Sequence, residues 1–121
     1  MNKKNVEILT EKTILYMGIP IKMTGYGYIC EAVYMTLENR ETVPSITKEI
    51  YPVIAKKNRV STGSVEKCIR HAIEHAWDSD NAPIREFLYE HAAGRSERRP
   101  TNSEFISLLA WKIGIESDKF I

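Results

Sequence analysis

The amino-acid sequence predicts an all-α domain of six helices in which the third and fourth helices form a helix-turn-helix. Three observations support this class. Apolar residues recur at intervals of three and four, which is the spacing of one buried helix face. Serine, threonine, glycine and proline punctuate these segments at positions that suit helix ends. No segment carries a convincing strand pattern.

The first two predicted helices have recognisable ends. Gly18 closes the first helix, and Thr24 is the expected N-cap of the second. Asn39 is expected to end the second helix in the left-handed conformation. Gly25 and Gly27, near the start of that helix, allow another backbone to approach closely.

The third and fourth helices are separated by a tight turn. Ser45 caps the third helix, and Pro52 is expected to kink it or split it into two turns. The apolar residues of this helix, Val53 among them, are expected to point inward. Arg59 lies in the turn, and Ser61 caps the fourth helix. These elements form the predicted helix-turn-helix, at about 45–77.

The last two helices follow polar segments. Pro83 suits the first turn of the fifth helix. Thr101 and Glu104 form a capping box for the sixth helix after a linker-like stretch at 93–100, and the tail at 116–121 is expected to fray. The six predicted helices span 5–17, 24–38, 45–58, 61–77, 82–91 and 101–114.

Length and composition favour a single domain over residues 1–121 with its own hydrophobic core. The formal net charge of +1 argues against a bulk polycation, so any affinity for nucleic acid must come from the placement of charge. Cys30 and Cys68 fall on apolar stripes and are expected to be buried thiols. Without a signal peptide or a membrane-spanning run, the chain is expected to be cytoplasmic.

The predicted fourth helix has two different faces. Its outer face mixes donors and acceptors, and a polar turn and a lysine-bearing helix precede it. This arrangement suits a helix that enters the major groove of DNA. The apolar stripe is Val65, Cys68, Ile69, Ala72, Ile73, Ala76 and Trp77, and the outer face includes Ser64, Lys67, Arg70, His71 and Glu74.

Four stretches of the chain resemble a known family. They are GIP, GY-x-Y and EA within 18–32, YP-x-IAKK at 51–57, VE-xx-IRHAIE-x-AW at 65–77 and PTNSEFI at 100–106. Together they resemble the C-terminal DNA-binding effector domain of the sporulation-initiation response regulator, stage 0 sporulation protein A. The resemblance implies a six-helix domain that regulates transcription by binding TGTCGAA-like boxes in double-stranded DNA.

The resemblance also implies protein partners. Two protomers often bind head to tail on neighbouring boxes, and the region of the fifth helix touches the sigma factor of RNA polymerase. Here that region, 81–89, departs from the family pattern, so DNA binding is better supported than activation. Members also carry a receiver domain, which these 121 residues do not contain. The chain is therefore interpreted as a fragment or a stand-alone effector domain.

By resemblance, Glu66, Lys67 and Arg70 read bases, with His71 and Glu74 further along the helix. Arginine can donate to guanine O6 and N7, and a carboxylate can accept from the cytosine amino group. The alternative is a solvated helix face with ion pairs between residues four apart.

The face is less basic than in the family. Relatives usually carry arginine in place of Lys67 and Ser64, so the preferred box is expected to differ.

Phosphate contacts are expected from the residues flanking this face, and such contacts make binding depend on salt. The alternatives are solubility and compensation of the helix dipole for the lysines, and a surface loop or protomer contact for the loop arginines, including Arg95. The expected phosphate contacts are Lys56, Lys57, Arg59, Ser61, Ser64, Arg98 and Arg99.

One motif suggests a different class of function. His71, Glu74 and His75 match H-x-x-E-H, a pattern of zinc proteases. A zinc hydrolase would need a third ligand, for which Glu86, Glu90 and His91 are the nearest candidates. We interpret the match as coincidental and expect neither enzymatic activity nor a cofactor. A protein-interaction module of the same fold is the other alternative.

Overall fold

The computed structural model describes residues 3–39, 45–79, 82–91 and 98–118, with the side chains of 89–91 left aside. Within these ranges the chain forms six α-helices and a π-helical turn at Ile46–Ile50, and no strand. The predicted all-α class with six helices is therefore confirmed. The helices are α1 (Lys3–Tyr16), α2 (Thr24–Glu38), α3 (Tyr51–Asn58), α4 (Thr62–Trp77), α5 (Pro83–His91) and α6 (Asn102–Asp118).

Helix α2 lies at the centre and packs against α1, α3, α4 and α6. Each of these helices contributes fully buried apolar side chains to one core, among them Ile29, Ile69, Ile106 and Phe105. Burying a large apolar side chain contributes about 1.5–3 kcal/mol. The helices that surround α2 are thus held chiefly by apolar contact with it.

The backbones of α2 and α4 come unusually close at Gly25. A Cβ atom at this position would lie 2.2 Å from the carbonyl oxygen of Cys68 and 2.8 Å from Cβ of Ala72. The expected close approach of another backbone is therefore confirmed at Gly25. It is wrong at Gly27, where no described atom lies within 4 Å of such a Cβ, because Gly27 faces outward.

The segment before α4 is divided at Pro52, as the sequence predicts. The Ser45 side chain accepts from the Lys48 amide at 3.3 Å and begins the π-helical turn. Pro52 then falls in the first turn of α3, where its missing N–H removes no hydrogen bond within α3. Val53 was expected to point inward but is 51% exposed. Residues two apart lie on nearly opposite sides of a helix. Because Tyr51 is buried, Val53 faces solvent.

The ends of α4 are well defined. Arg59 adopts the left-handed conformation (φ 56°) in the turn, and the Ser61 hydroxyl accepts from the Ser64 amide at 3.0 Å, so the predicted N-cap is confirmed. At the other end the Arg85 side chain of α5 donates to the Trp77 carbonyl, with Nε at 3.1 Å. Its guanidinium also lies 5.5 Å from the centroid of the Trp77 ring.

Three predicted helix ends are wrong. Thr24 is the first residue of α2 rather than its cap, which is Met23. Asn39 is not left-handed, since its φ is −120° and its ψ is 38°. Its side-chain amide donates to the Met35 carbonyl. Helix α6 continues past Gly114 to Asp118, and the buried Ser117 side chain donates back to the Gly114 carbonyl at 3.1 Å. The expected fraying is therefore wrong for 116–118, and 119–121 lie outside the described residues.

The two cysteines are both free thiols. Cys30 is buried, as expected, and burial raises the pKa of its thiol to about 12. Cys68 is only half-buried.

Across the described ranges, no helix has the length and apolar character that crossing a membrane requires.

We expect Gly25→Ala to lower the free energy of unfolding by about 1–3 kcal/mol or more, because the added methyl group overlaps the Cys68 carbonyl. Gly27→Ala is the matched control in the same helix and should raise stability by about 0.5–1 kcal/mol. Urea denaturation followed by circular dichroism measures both. Equal stability of the two variants would contradict the close packing at Gly25.

Candidate nucleic-acid interface

The apolar stripe of α4 faces the core as the sequence predicts. Five of its residues are buried, and Cys68 and Trp77 are partly buried. The outer face is consequently directed to solvent, with Lys67 and His71 exposed and Ser64 half-buried. The buried residues are Val65, Ile69, Ala72, Ile73 and Ala76.

Three charged side chains form a row along this face. Arg70 Nη1 contacts Oε1 of Glu66 one turn before it, and Arg70 Nε lies 3.8 Å from Oε1 of Glu74 one turn after it. Both ion pairs considered from the sequence are therefore present. The side chains of Glu66 and Arg70 are each 40% exposed and that of Glu74 is 33% exposed. Such pairs contribute about 0.3–0.5 kcal/mol each, so another polar partner can replace them at low cost.

The basic residues before α4 are exposed, and one of them is held by a carboxylate. Lys56, Lys57 and Arg59 all lie at the surface. Lys57 Nζ is 2.8 Å from Oε1 of Glu31 in α2, and this hydrogen bond raises the pKa of the lysine. The Lys57 side chain nevertheless remains 72% exposed.

The arginines before α6 are also paired. Arg98 makes two hydrogen bonds of 3.1 Å to the two carboxylate oxygens of Glu104. Arg99 Nη2 lies 3.3 Å from Oε1 of Glu74 on α4. Arg95 lies outside the described residues.

The predicted capping box at the start of α6 is confirmed. The Thr101 amide donates to Glu104 Oε1 at 2.9 Å, and the Glu104 amide donates to Thr101 Oγ1 at 3.1 Å. The Arg98 hydrogen bonds, followed by that from the Thr101 amide, lower the pKa of Glu104 from its usual 4.5 to about 2.

Asn102 joins three elements, and sequence reasoning missed it. Its side-chain amide nitrogen donates to the Tyr51 hydroxyl at 3.0 Å and to the Glu66 carbonyl at 3.0 Å. The first residues of α3 and α6 thereby meet the N-terminal half of α4. Neither partner lies near Asn102 in the chain, so no local spacing signals the contact.

The H-x-x-E-H pattern does not correspond to a metal site among the described side chains. His71 and His75 are both exposed on α4. No three described His, Cys, Asp or Glu residues lie close enough together to hold a metal ion. Of the suggested third ligands, Glu86 is exposed, and the side chains of Glu90 and His91 lie outside the description. The zinc-hydrolase alternative is not favoured.

Residues 10–113 match a protein family described as the C-terminal domain of the sporulation initiation factor Spo0A. The chain belongs to this family. The match spans α2, α3, α4 and α5 entirely, together with half of α1 and most of α6. The resemblance drawn from the four sequence stretches is thus confirmed. As a Spo0A C-terminal domain, the protein is a DNA-binding domain that regulates transcription in sporulation.

We expect the stability of the domain to fall as the pH decreases from about 4.5 to 2, because protonation removes the ionised Glu104 that the fold stabilises. Glu104→Gln should reduce this part of the loss while keeping a side chain that can complete the capping box. Urea midpoints of parent and variant at pH 6, 4 and 2.5 measure the effect. A constant difference at all three pH values would contradict the role of the carboxylate charge.

Proposed function

We propose that the domain binds double-stranded DNA sequence-specifically by placing α4 in the major groove, with 45–77 as a helix-turn-helix. The observation that carries this proposal is that Glu66, Lys67 and Arg70 in the N-terminal half of α4 are all accessible to solvent, with Lys67 exposed and the other two half-buried. Helix α3 packs against the same helix. In helix-turn-helix proteins this half of the second helix contacts the base edges. Membership of a DNA-binding family supports the proposal independently.

The side chains on this face suit different base edges. Arg70 can exchange its contact with Glu66 for a bidentate pair of hydrogen bonds to guanine O6 and N7. Glu66, released from Arg70, can accept from a cytosine amino group. Lys67 is a point charge without a planar fork and donates to acceptors of either purine. His71 and Glu74 extend the reading face toward its C-terminal end.

The proposed phosphate contacts surround this helix. Lys56, Lys57 and Arg59 project from the end of α3 and the following turn. Ser61 and Ser64 lie at the N-terminus of α4, where amide groups and the helix dipole favour an anion. The last two proposed contacts, Arg98 and Arg99, must leave Glu104 and Glu74 to reach a phosphate, so they contribute less.

The proposed target is a TGTCGAA-like promoter box. Lys67 and Ser64 make the reading face less basic than in relatives with arginine at these positions, so some base preferences within the box should differ. Binding of two protomers head to tail on tandem boxes is part of this proposal, and a contact with the sigma factor through α5 is a weaker part of it.

Selection from randomised duplexes with the purified protein tests the proposed function. Enrichment of a TGTCGAA-like box is the expected result. Absence of any enriched sequence at low salt would favour a protein-interaction module with the same fold.

Arg70→Ala should weaken binding to the selected box by about 1–3 kcal/mol and relax the preference at the guanine that it reads. Fluorescence anisotropy with the selected and a scrambled duplex measures the change. Lys12→Ala removes an exposed charge from α1 and should leave the preference unchanged. Equal affinity of Arg70→Ala and the parent for the selected box would exclude groove reading by Arg70.

Lys57→Ala should weaken binding to all duplexes alike and reduce the salt slope by about one, because one phosphate contact is lost. Glu31→Gln is the matched control, since it removes the carboxylate that holds Lys57 while keeping the lysine. It should strengthen binding to every sequence. A change of base preference in Lys57→Ala would contradict its assignment to phosphate.

A further inference from the structure

We propose that Arg99 and Asn102 are positioning residues that determine the base preference of α4 by setting the orientation of Arg70. Both lie where the chain enters α6, and neither belongs to α4 itself. This proposal rests on the proposed function, because it concerns how the reading face is held rather than whether it binds DNA.

Arg99 competes with Arg70 for one carboxylate oxygen. Arg99 Nη2 is 3.3 Å from Glu74 Oε1, whereas Arg70 Nε is 3.8 Å from the same atom. Arg70 makes its closer contact with Glu66 on the opposite side. With Arg99 in place, Glu74 is already occupied, and the Arg70 guanidinium is directed toward the N-terminal end of α4.

Asn102 contacts the N-terminal end of the same row, at Glu66. Its amide nitrogen donates to the backbone carbonyl of Glu66, and the same nitrogen donates to the Tyr51 hydroxyl. These two bonds are partly buried, so they are screened less than the surface ion pairs. The turn of α4 that carries Glu66 is thereby fixed relative to α3 and α6.

The two contacts enclose Arg70 from both sides along the helix. Glu66 lies four residues before Arg70, and Glu74 lies four residues after it, about 6 Å along the axis in each direction. A groove of about 350 Å³ is lined by Glu66 and Arg70 on one side and by residues 99–103 at the start of α6 on the other. The α6 entry is therefore positioned to limit the directions in which Arg70 can extend.

This arrangement acts on specificity more than on affinity. Without Arg99, Glu74 has one cation partner fewer and attracts Arg70 toward the C-terminal end of α4. Arg70 then meets a different base edge, or it meets the same edge with poorer hydrogen-bond geometry. In this role Arg99 stays on Glu74, which replaces the phosphate contact proposed for it above, so its loss should leave the salt dependence unchanged.

The test compares base preferences by selection from randomised duplexes for the parent, Arg99→Ala and Arg98→Ala. Arg98 is the matched control because its carboxylate partner is Glu104 in α6 and not a residue of α4. We expect Arg98→Ala to keep the base preference of the parent even where its overall affinity falls, because a phosphate contact carries no base information. Arg99→Ala should reduce the ratio of specific to non-specific binding on the order of tenfold, at an unchanged salt slope.

Glu74→Gln tests whether Arg99 acts through Glu74. If it does, the double variant Glu74→Gln with Arg99→Ala should have the same base preference as Glu74→Gln alone. A further loss in the double variant, with a salt slope lower by about 0.9, would identify Arg99 as a phosphate contact and overturn the proposal for it.

Asn102 is tested against Tyr51. Asn102→Ala removes both hydrogen bonds, whereas Tyr51→Phe removes only the one to the hydroxyl and leaves the bond to Glu66. We expect an altered base preference in Asn102→Ala and the parent preference in Tyr51→Phe. Urea denaturation of each variant shows whether it is folded at the assay temperature. A folded Asn102→Ala with the parent preference would overturn the role of Asn102.

The outcomes separate this proposal from the proposed function. A parent protein that enriches no sequence overturns both. A parent that enriches a box, with Arg99→Ala and Asn102→Ala enriching the same box equally well, overturns only the positioning role.

Discussion

The contact of Gly25 with the backbone at Cys68 fixes how close α2 and α4 can lie. Because α2 also packs against α1, α3 and α6, this one approach sets the position of α4 relative to the rest of the domain. The spacing is a steric constraint, since even a methyl group at Gly25 overlaps a carbonyl oxygen. The apolar stripe of α4 then determines which face is buried and, by exclusion, which face meets solvent.

The outer face of α4 combines an arginine and a lysine with carboxylates instead of presenting a uniform positive charge. Glu66, Arg70 and Glu74 form a row of alternating sign, and Arg99 contacts Glu74 from the start of α6. Carboxylates oppose binding to phosphates but restrict the geometry of Arg70 between them. The nearly neutral net charge of the chain agrees with such a design, in which placement of charge matters more than its amount.

Local features of the sequence predicted most of the fold. The Ser61 cap, the Thr101 and Glu104 capping box and the division at Pro52 depend on residues within one or two turns, and all three were predicted correctly. The errors at Asn39 and Val53 arose where a neighbouring contact or the helix phase outweighed propensity. The Asn102 contact with Glu66 and the Glu31 contact with Lys57 join residues distant in the chain, which no periodicity encodes.

The Arg85 guanidinium at the end of α4 has an electrostatic consequence for the whole helix. Aligned peptide groups give a helix partial charges of about +0.5 and −0.5 at its two ends. Arg85 lies on the carbonyl of Trp77 and compensates the negative end, whereas the positive end at Ser61 faces solvent. An approaching polyanion therefore meets an uncompensated positive charge at the N-terminus of α4 and little negative charge at its C-terminus. This holds although the side chains of α4 are nearly balanced in charge.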